Sequence, residues 1–453
     1  MISTRFLNRQ VCGSSRHRQV RCRAVGHSTL RSLLLAGSLL FGFSYAQNAS
    51  QETSQTLQAF LEPLENYAGI TAARADVRAA EIRLRQAYDP VGVDASTGYS
   101  YAPNEGDESG LSADLDVSFR PFVFGDNADL VRERELALAT ARLNYLAALT
   151  QLEAQALEAA TRFQWGAEAV DVAQQRVEVA DLALRGLQAQ VERGAGSGAA
   201  VREAEQELAA AQASVEEAQL TRALAESELN ALVGEVRLSE MPSLPPPDGT
   251  ALQVRLARVE VALARLGVRR AERELYPELD ANYIQNLGGG NAVAASIGSR
   301  NLEPTLGYDH RYQRDDDALE TRFEVSLSVS LSTGAFAALD AAKEDLTAAN
   351  ERLDAASSEA ALETERLTNV LAQAQEGLRL AQARFSNAEA SLEEVQGREA
   401  LGLTTPLDVQ RATLTLSQAL LDLQTEQQLV RTALLDLYRY YALPLSEALE
   451  EQP

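Results

Sequence analysis

Residues Asp126 to Glu192 form a run of 67 that favours helix with hardly a breaker. At 1.5 Å per residue, one helix of that length is roughly 100 Å long. A compact domain has no room for such a rod, and a lone helix is marginal in water, so it must pack lengthwise against others. A second run, from about Ala335 to Arg398, repeats the problem. Its apolar seam is regular: Leu367, Leu371, Ala374, Leu378, Ala381, Phe385, Ala388, Leu392 and Val395 recur at spacings of 4 and 3. That period of 3.5 is a coiled-coil seam.

The two runs belong to an internal duplication. "DVSFRPF" aligns with "EVSLSVS" at an offset of 208, as does "AVREA" (200–204) with "DVQRA" (408–412). "YDPVGVDAS" likewise matches "YPELDAN". Each half reads helix, strand, strand, long helix, tip, helix, and such repetition precedes any fold assignment. The expected boundaries are 47–238 for the first repeat, 239–250 for a stiff Pro-rich linker, 251–443 for the second repeat and 444–453 for a tail. In the second tip, Gly402 suits a helix C-cap, Thr405 an N-cap, Pro406 the first helical turn and Asp408 the third helical position. The first tip, "GAGSG", lacks the preceding strand and following Lys of a phosphate loop.

Each half also carries period-two segments. In "FEVSLSVSLS", Phe323, Val325, Leu327, Val329 and Leu331 share one face, while Glu324 and four Ser share the other. "VGVDASTGYSY" and "LSADLDVSF" alternate in the same way around the polar "PNEGDESG", forming a hairpin. "ELDANYIQNL" and "FEVSLSVSLS" bring the total to four strands, and a polar loop from Gly288 to about Leu319 separates these last two. About ten residues suffice for a tilted strand to cross a bilayer. Alternation alone fits a soluble sandwich as well as a membrane barrel. Tyr99, Tyr101, Phe119, Phe122, Phe124, Tyr276 and Tyr283 lie near strand ends, where an aromatic girdle would sit. Four strands cannot close a barrel, so spanning strands require several chains to share one wall.

Composition excludes several function classes. The formal charge is −24, which argues against nucleic acid as a partner. Residues 1–46 hold seven Arg and no acid, so the remainder carries −31. Arg31, the apolar "SLLLAGSLLFGFSYA" and the small-x-small Ser44-Tyr45-Ala46 read as a signal peptide with an extended N-terminal region. The length of that region leads us to expect a translation start downstream of Met1. Both cysteines, Cys12 and Cys22, and two of three His fall inside it. We therefore expect no catalytic residues, no metal and no cofactor. The acidic "RYQRDDD" (Arg311–Asp317) lacks the ligand spacing of an EF-hand. It reads as a solvated loop, and Trp165 reads as packing.

The repeat order, the helix ending in Tyr-Pro before a strand, the hairpins and the tip "ALGLTTPLDVQRA" (Ala400–Ala412) together resemble the TolC-like outer membrane efflux protein family. The resemblance spans about residues 52–443. It implies a mainly α fold with β: a long antiparallel coiled-coil helical barrel in the periplasm, plus a transmembrane β-barrel shared between protomers of a homotrimer, four strands per chain. It implies an exit duct of a tripartite efflux pump or type I secretion system, embedded in outer-membrane lipid. The partners would be a periplasmic adaptor (membrane fusion) protein and an inner-membrane transporter. Adaptor docking maps to Gly194, Ala195, Gly196 and Ser197 in one tip and Leu401, Gly402, Leu403 and Thr404 in the other. A periplasmic entrance gate maps to Asp408 and to Arg411, where the family's second acidic ring is replaced by a base. The competing reading is a periplasm-spanning coiled-coil tether without transport activity.

Overall fold

Breakers and caps divide the chain much as the residues dictate. The computed structural model describes residues 57–100, 110–120, 122–238, 241–311, 321–329 and 332–450, which belong to one unit, Thr53–Pro453. The expected signal peptide, Tyr101 and residues 312–317 of the acidic run lie outside them. In the first half, α1 (Ala68–Ala87) stops at Tyr88 ahead of Pro90, then come β1 (Val91–Ser100), β2 (Gly110–Phe119), α2 (Gly125–Glu192) and α3 (Gly198–Val233). In the second half, α4 (Leu252–Glu274) leads to β3 (Glu278–Gly288), β4 (Asn291–Gly298), β5 (Pro304–Arg311) and β6 (Thr321–Ser328). The chain then runs through α5 (Thr333–Ala400), α6 (Pro406–Tyr441) and a short α7 (Leu445–Glu450).

The duplication holds at single-residue precision in the helices. Both long helices have 68 residues and both returning helices have 36, each pair starting 208 residues apart. The expected seam is buried at Leu367, Leu371, Ala381 and Ala388, and its other members are half-buried. Side by side, α3 packs on α2, α2 on α6 and α6 on α5, while α1 and α4 lie along α2 and α5. The largest core sits where these helices converge with the linker. Phe60, Leu64, Leu157, Leu229, Leu435 and Tyr438 are all essentially inaccessible there. Tyr438 satisfies its buried hydroxyl by donating to the Pro245 carbonyl at 3.0 Å.

Two expectations are corrected. Among the described residues the sheet has six strands, not four, because the supposed loop from Gly288 holds β4 and β5. Its order is β1-β2-β5-β4-β3-β6, antiparallel throughout. The last strand also ends at Ser328, four residues earlier than its alternation suggests. Ser332 instead caps α5, its hydroxyl accepting from the Ala335 N–H at 3.1 Å. A Ser that alternates correctly for a strand is equally suited to an N-cap.

Candidate functional site

Two regions carry the functional argument: a two-faced sheet at one end of the helices and a pair of turns at the other. In the sheet, register keeps like with like. Val93 sits opposite Val117, Leu115 opposite Tyr308, Val293 opposite Tyr308 and Tyr283 opposite Phe323. These residues share one face, which is apolar across all six strands and open to the surroundings: Phe323 is 69% exposed, Leu327 68% and Leu306 56%. An apolar face of this extent on a single chain marks an interaction surface, for a membrane or a partner. The opposite face is acidic. Asp94 faces Asp116 and Asp114 faces Asp309 across neighbouring strands, and Ser96 donates to Asp114 at 3.2 Å. Of the expected girdle, Phe119, Phe122, Phe124 and Tyr276 are exposed at the helix-proximal edge of the sheet and Tyr99 at its far edge.

The two tips are the same motif built twice. In the first, the Gly194 N–H donates to the Val191 carbonyl and the Ala195 N–H to that of Gln190, each at 2.9 Å. In the second, Gly402 donates to Glu399 at 2.8 Å and Leu403 to Arg398 at 2.9 Å. This paired closure is the Schellman motif, and it needs a left-handed residue. Gly194 (φ 74°) and Gly402 (φ 72°) supply it. Gly196 is required by space as well, since a Cβ there would lie 2.7 Å from Val191 Cγ2.

The returning helices start differently at the two tips. Ser197 caps α3 through the Ala199 N–H at 3.2 Å. Thr405 caps α6 in a full capping box with Asp408. Asp408 Oδ2 accepts from the Thr405 hydroxyl at 2.6 Å, the Thr404 hydroxyl at 2.9 Å and the Thr405 N–H at 3.0 Å. The Thr405 hydroxyl, its N–H and the Thr404 hydroxyl hold the Asp408 carboxyl below its usual range. Arg411, exposed one turn later, adds a weaker pull in the same direction. Asp408 and Arg411 thus stand together at the start of α6, and the eight candidate docking residues form the two turns. Sequence reasoning passed over the exposure of the leucines: Leu401 is 75% and Leu403 73% accessible, where the first tip offers only Arg193 and Ala195.

Sequence reasoning also missed the seam between sheet and helices. Arg273 binds Asp126 at 2.6 Å and the buried Asp129 at 2.7 Å. Arg120 binds Glu303 at 2.8 Å, and Asn127 donates to the same carboxylate at 3.3 Å. These partners are up to 183 residues apart, so no local pattern announces them. Among the described residues, no cluster fit to hold a metal occurs and no helix is long and apolar enough to cross a membrane.

Residues 250–442 match the model of the outer membrane efflux protein family. That part of the chain is similar to outer membrane efflux proteins. No curated protein matches the sequence. Solved structures with the same fold include the outer membrane protein VceC of Vibrio cholerae, at 20% identity and a TM-score of 0.59 over 86% of this chain and 96% of that one. A membrane protein of Pseudomonas aeruginosa aligns at 14% identity and 0.61 over 85% and 90%. The open-state MtrE outer membrane channel of Neisseria gonorrhoeae aligns at 17% and 0.56 over 86% and 88%. The matched stretch holds α4 to α6 with the strands β3 to β6. The fold likeness extends over both repeats, as the duplication requires.

Proposed function

We propose that the protein is a passive exit duct of the outer membrane, serving a tripartite efflux pump or a type I secretion system. The observation that carries this reading is the apolar face running unbroken across a six-stranded sheet, fused to helical hairpins roughly 100 Å long. Such a face suits lipid, the opposed acidic face suits a wet lumen, and the rods suit a tunnel through the periplasm. On this reading residues 1–46 are an export signal and three copies assemble. A periplasmic adaptor joined to an inner-membrane transporter grips the tips. Leu401 and Leu403 supply its apolar contact, while Gly194, Ala195, Gly196, Ser197, Gly402 and Thr404 let its backbone approach. Asp408 and Arg411 ring the entrance, where bases and acids of neighbouring copies pair to hold it shut.

Purified protein reconstituted in planar bilayers tests the duct. Discrete conductance steps from a heat-modifiable trimer are expected, and an outer-membrane protein that never conducts is instead a tether. Arg411→Ala should lengthen the open periods. Unchanged gating in both Arg411→Ala and Asp408→Ala would remove the entrance assignment while leaving the duct intact.

A further inference from the structure

The two repeats differ in length at the sheet. Val91 and Glu278, where β1 and β3 begin, lie 187 residues apart, whereas Gly125 and Thr333, where α2 and α5 begin, lie 208 apart. The second repeat therefore gains 21 residues between these points. Asn291–Arg311, the span of β4, β5 and their turn, is 21 residues. The spacers from β1 to β2 and from β5 to β6 are nine residues each. One whole hairpin has been added inside the second one.

The added hairpin lies within the wall of the sheet. It separates β2 from β3 and pairs with both, so the original hairpins do not touch. It keeps the alternation of its neighbours: Ile297, Leu306 and Tyr308 join the apolar face, and Ala292, Ala294 and Gly307 join the other. Its turn is bolted to the helices. Glu303 takes Arg120 and Asn127, and Asn301 Oδ1 accepts from the Asp126 N–H at 3.1 Å. The Arg300 carbonyl lies 1.7 Å from where a Cβ on Gly125 would stand, so only glycine (φ 61°) admits this approach.

The sheet ends in two edges, since β1 pairs only with β2 and β6 only with β3 among the described residues. An open edge is not viable in lipid, where every backbone group needs a partner. The edges run in opposite directions and carry the same alternation, so β6 of one copy can continue the antiparallel order beside β1 of the next. The rungs are also staggered. The one through Gly92, one residue into β1, reaches Glu324, four residues from the same end of β6. Stagger of this kind accompanies strand tilt in a closed barrel.

We propose that β4 and β5 are staves of the membrane wall, so that each copy supplies six strands and joins the next copy through β1 and β6. The proposed trimer then encloses an eighteen-stranded barrel instead of twelve strands. The figure of eighteen rests on that trimer, but the strand neighbours do not. Barrel diameter grows roughly linearly with strand number, and 16–18 strands leave an aqueous channel.

Cysteine pairs in outer-membrane fractions, on a Cys12→Ser/Cys22→Ser background, read the neighbours directly. Leu115→Cys with Tyr308→Cys should close an intramolecular disulfide, because the two are register partners. Val93→Cys combined in turn with Phe323→Cys, Val325→Cys and Leu327→Cys should give crosslinked dimers and trimers with one of the three. Deleting residues 291–311 should cut single-channel conductance to roughly half, by the square of twelve over eighteen. The proposal is overturned if Leu115→Cys links to Ala281→Cys on β3 instead of Tyr308→Cys, or if no β1–β6 pair links copies. Crosslinks as expected with no conductance would instead remove the duct reading and leave the six-strand wall standing.

Discussion

Glu153 shows how one residue fixes an end of the chain. Only 2% accessible, it accepts from the Leu445 N–H at 2.6 Å and the Ser446 hydroxyl at 2.8 Å, and so holds the first turn of α7. Burial raises its carboxyl above the ordinary range, outweighing the hydrogen bonds from Ser446 and Leu445 that pull the other way. The folded state therefore binds the proton more tightly than the unfolded chain. That preference is fully present below the ordinary carboxylate value and is lost as pH rises through the elevated one. Hydrogen exchange at the amides of residues 445–447 should accordingly be slower at pH 4.5 than at pH 8, after correction for intrinsic rates. Glu153→Ala strands a buried N–H and should cost about 1–3 kcal/mol in denaturant unfolding. Glu153→Gln, which keeps an acceptor, should lose less. Asp408 behaves in the opposite sense. Its lowered carboxyl keeps the capping box, and the charge at the proposed entrance, above the ordinary range, and both are lost only as pH falls through the lower folded value. Charge-dependent block of the entrance by a polyvalent cation should thus hardly change between pH 8 and pH 5. Asp408→Asn should abolish that block. The capping role was legible in the residues Thr-Thr-Pro-Leu-Asp (404–408), whereas the role of Glu153 was not, since its partners lie 292 residues away.

At the scale of elements, legibility follows pattern contrast. The long helices fall within two residues of their expected ends, because period and breakers agree there. β1 and β2 are equally plain, with Val and Leu alternating against Asp, Ser and Gly. β4 escaped detection because Val293, Ala295 and Ile297 alternate against Ala292, Ala294 and Ser296, a contrast too weak to separate from a Gly- and Ala-rich loop. The same small residues, Ala292, Ala294 and Ser296, leave that face of β4 unobstructed. Asp309 on β5 is the one acid the hairpin's two strands add to that face, and the others stand on the older strands. Asp94 and Asp116 face each other directly, an arrangement that destabilises a strand pair unless water or counterions screen it. In the proposed duct these two fixed negative charges face the lumen and should make it cation-selective. The reversal potential in a KCl gradient should show this, more strongly in dilute salt where the screening length is greater. Asp94→Asn/Asp116→Asn should move that potential towards zero without altering the fold.

On the scale of the whole molecule, the two ends of the chain's architecture point the same way. The helices run α3-α2-α6-α5 and the strands β1 to β6, so each row has a first-repeat element at one flank and a second-repeat element at the other. In the proposed trimer a ring of copies joins first repeat to second repeat at both levels, α3 beside α5 and β1 beside β6. Such a head-to-tail contact closes into a ring when its rotation permits. The flank of α3 carries the means: Leu220 and Leu224, four residues apart and therefore on one face, are each 62% exposed in the single chain. Leucines this open on a helix call for a neighbour, and α5 offers Leu380, 44% exposed, at a matching distance from its own tip. Full burial of a leucine contributes about 2 kcal/mol. Leu220→Ser/Leu224→Ser should therefore leave the circular dichroism of the helices unchanged while lowering the temperature at which the proposed trimer separates on a gel by many degrees. Trimers as heat-resistant as the unaltered protein would mean that the α3 flank faces something other than a second copy.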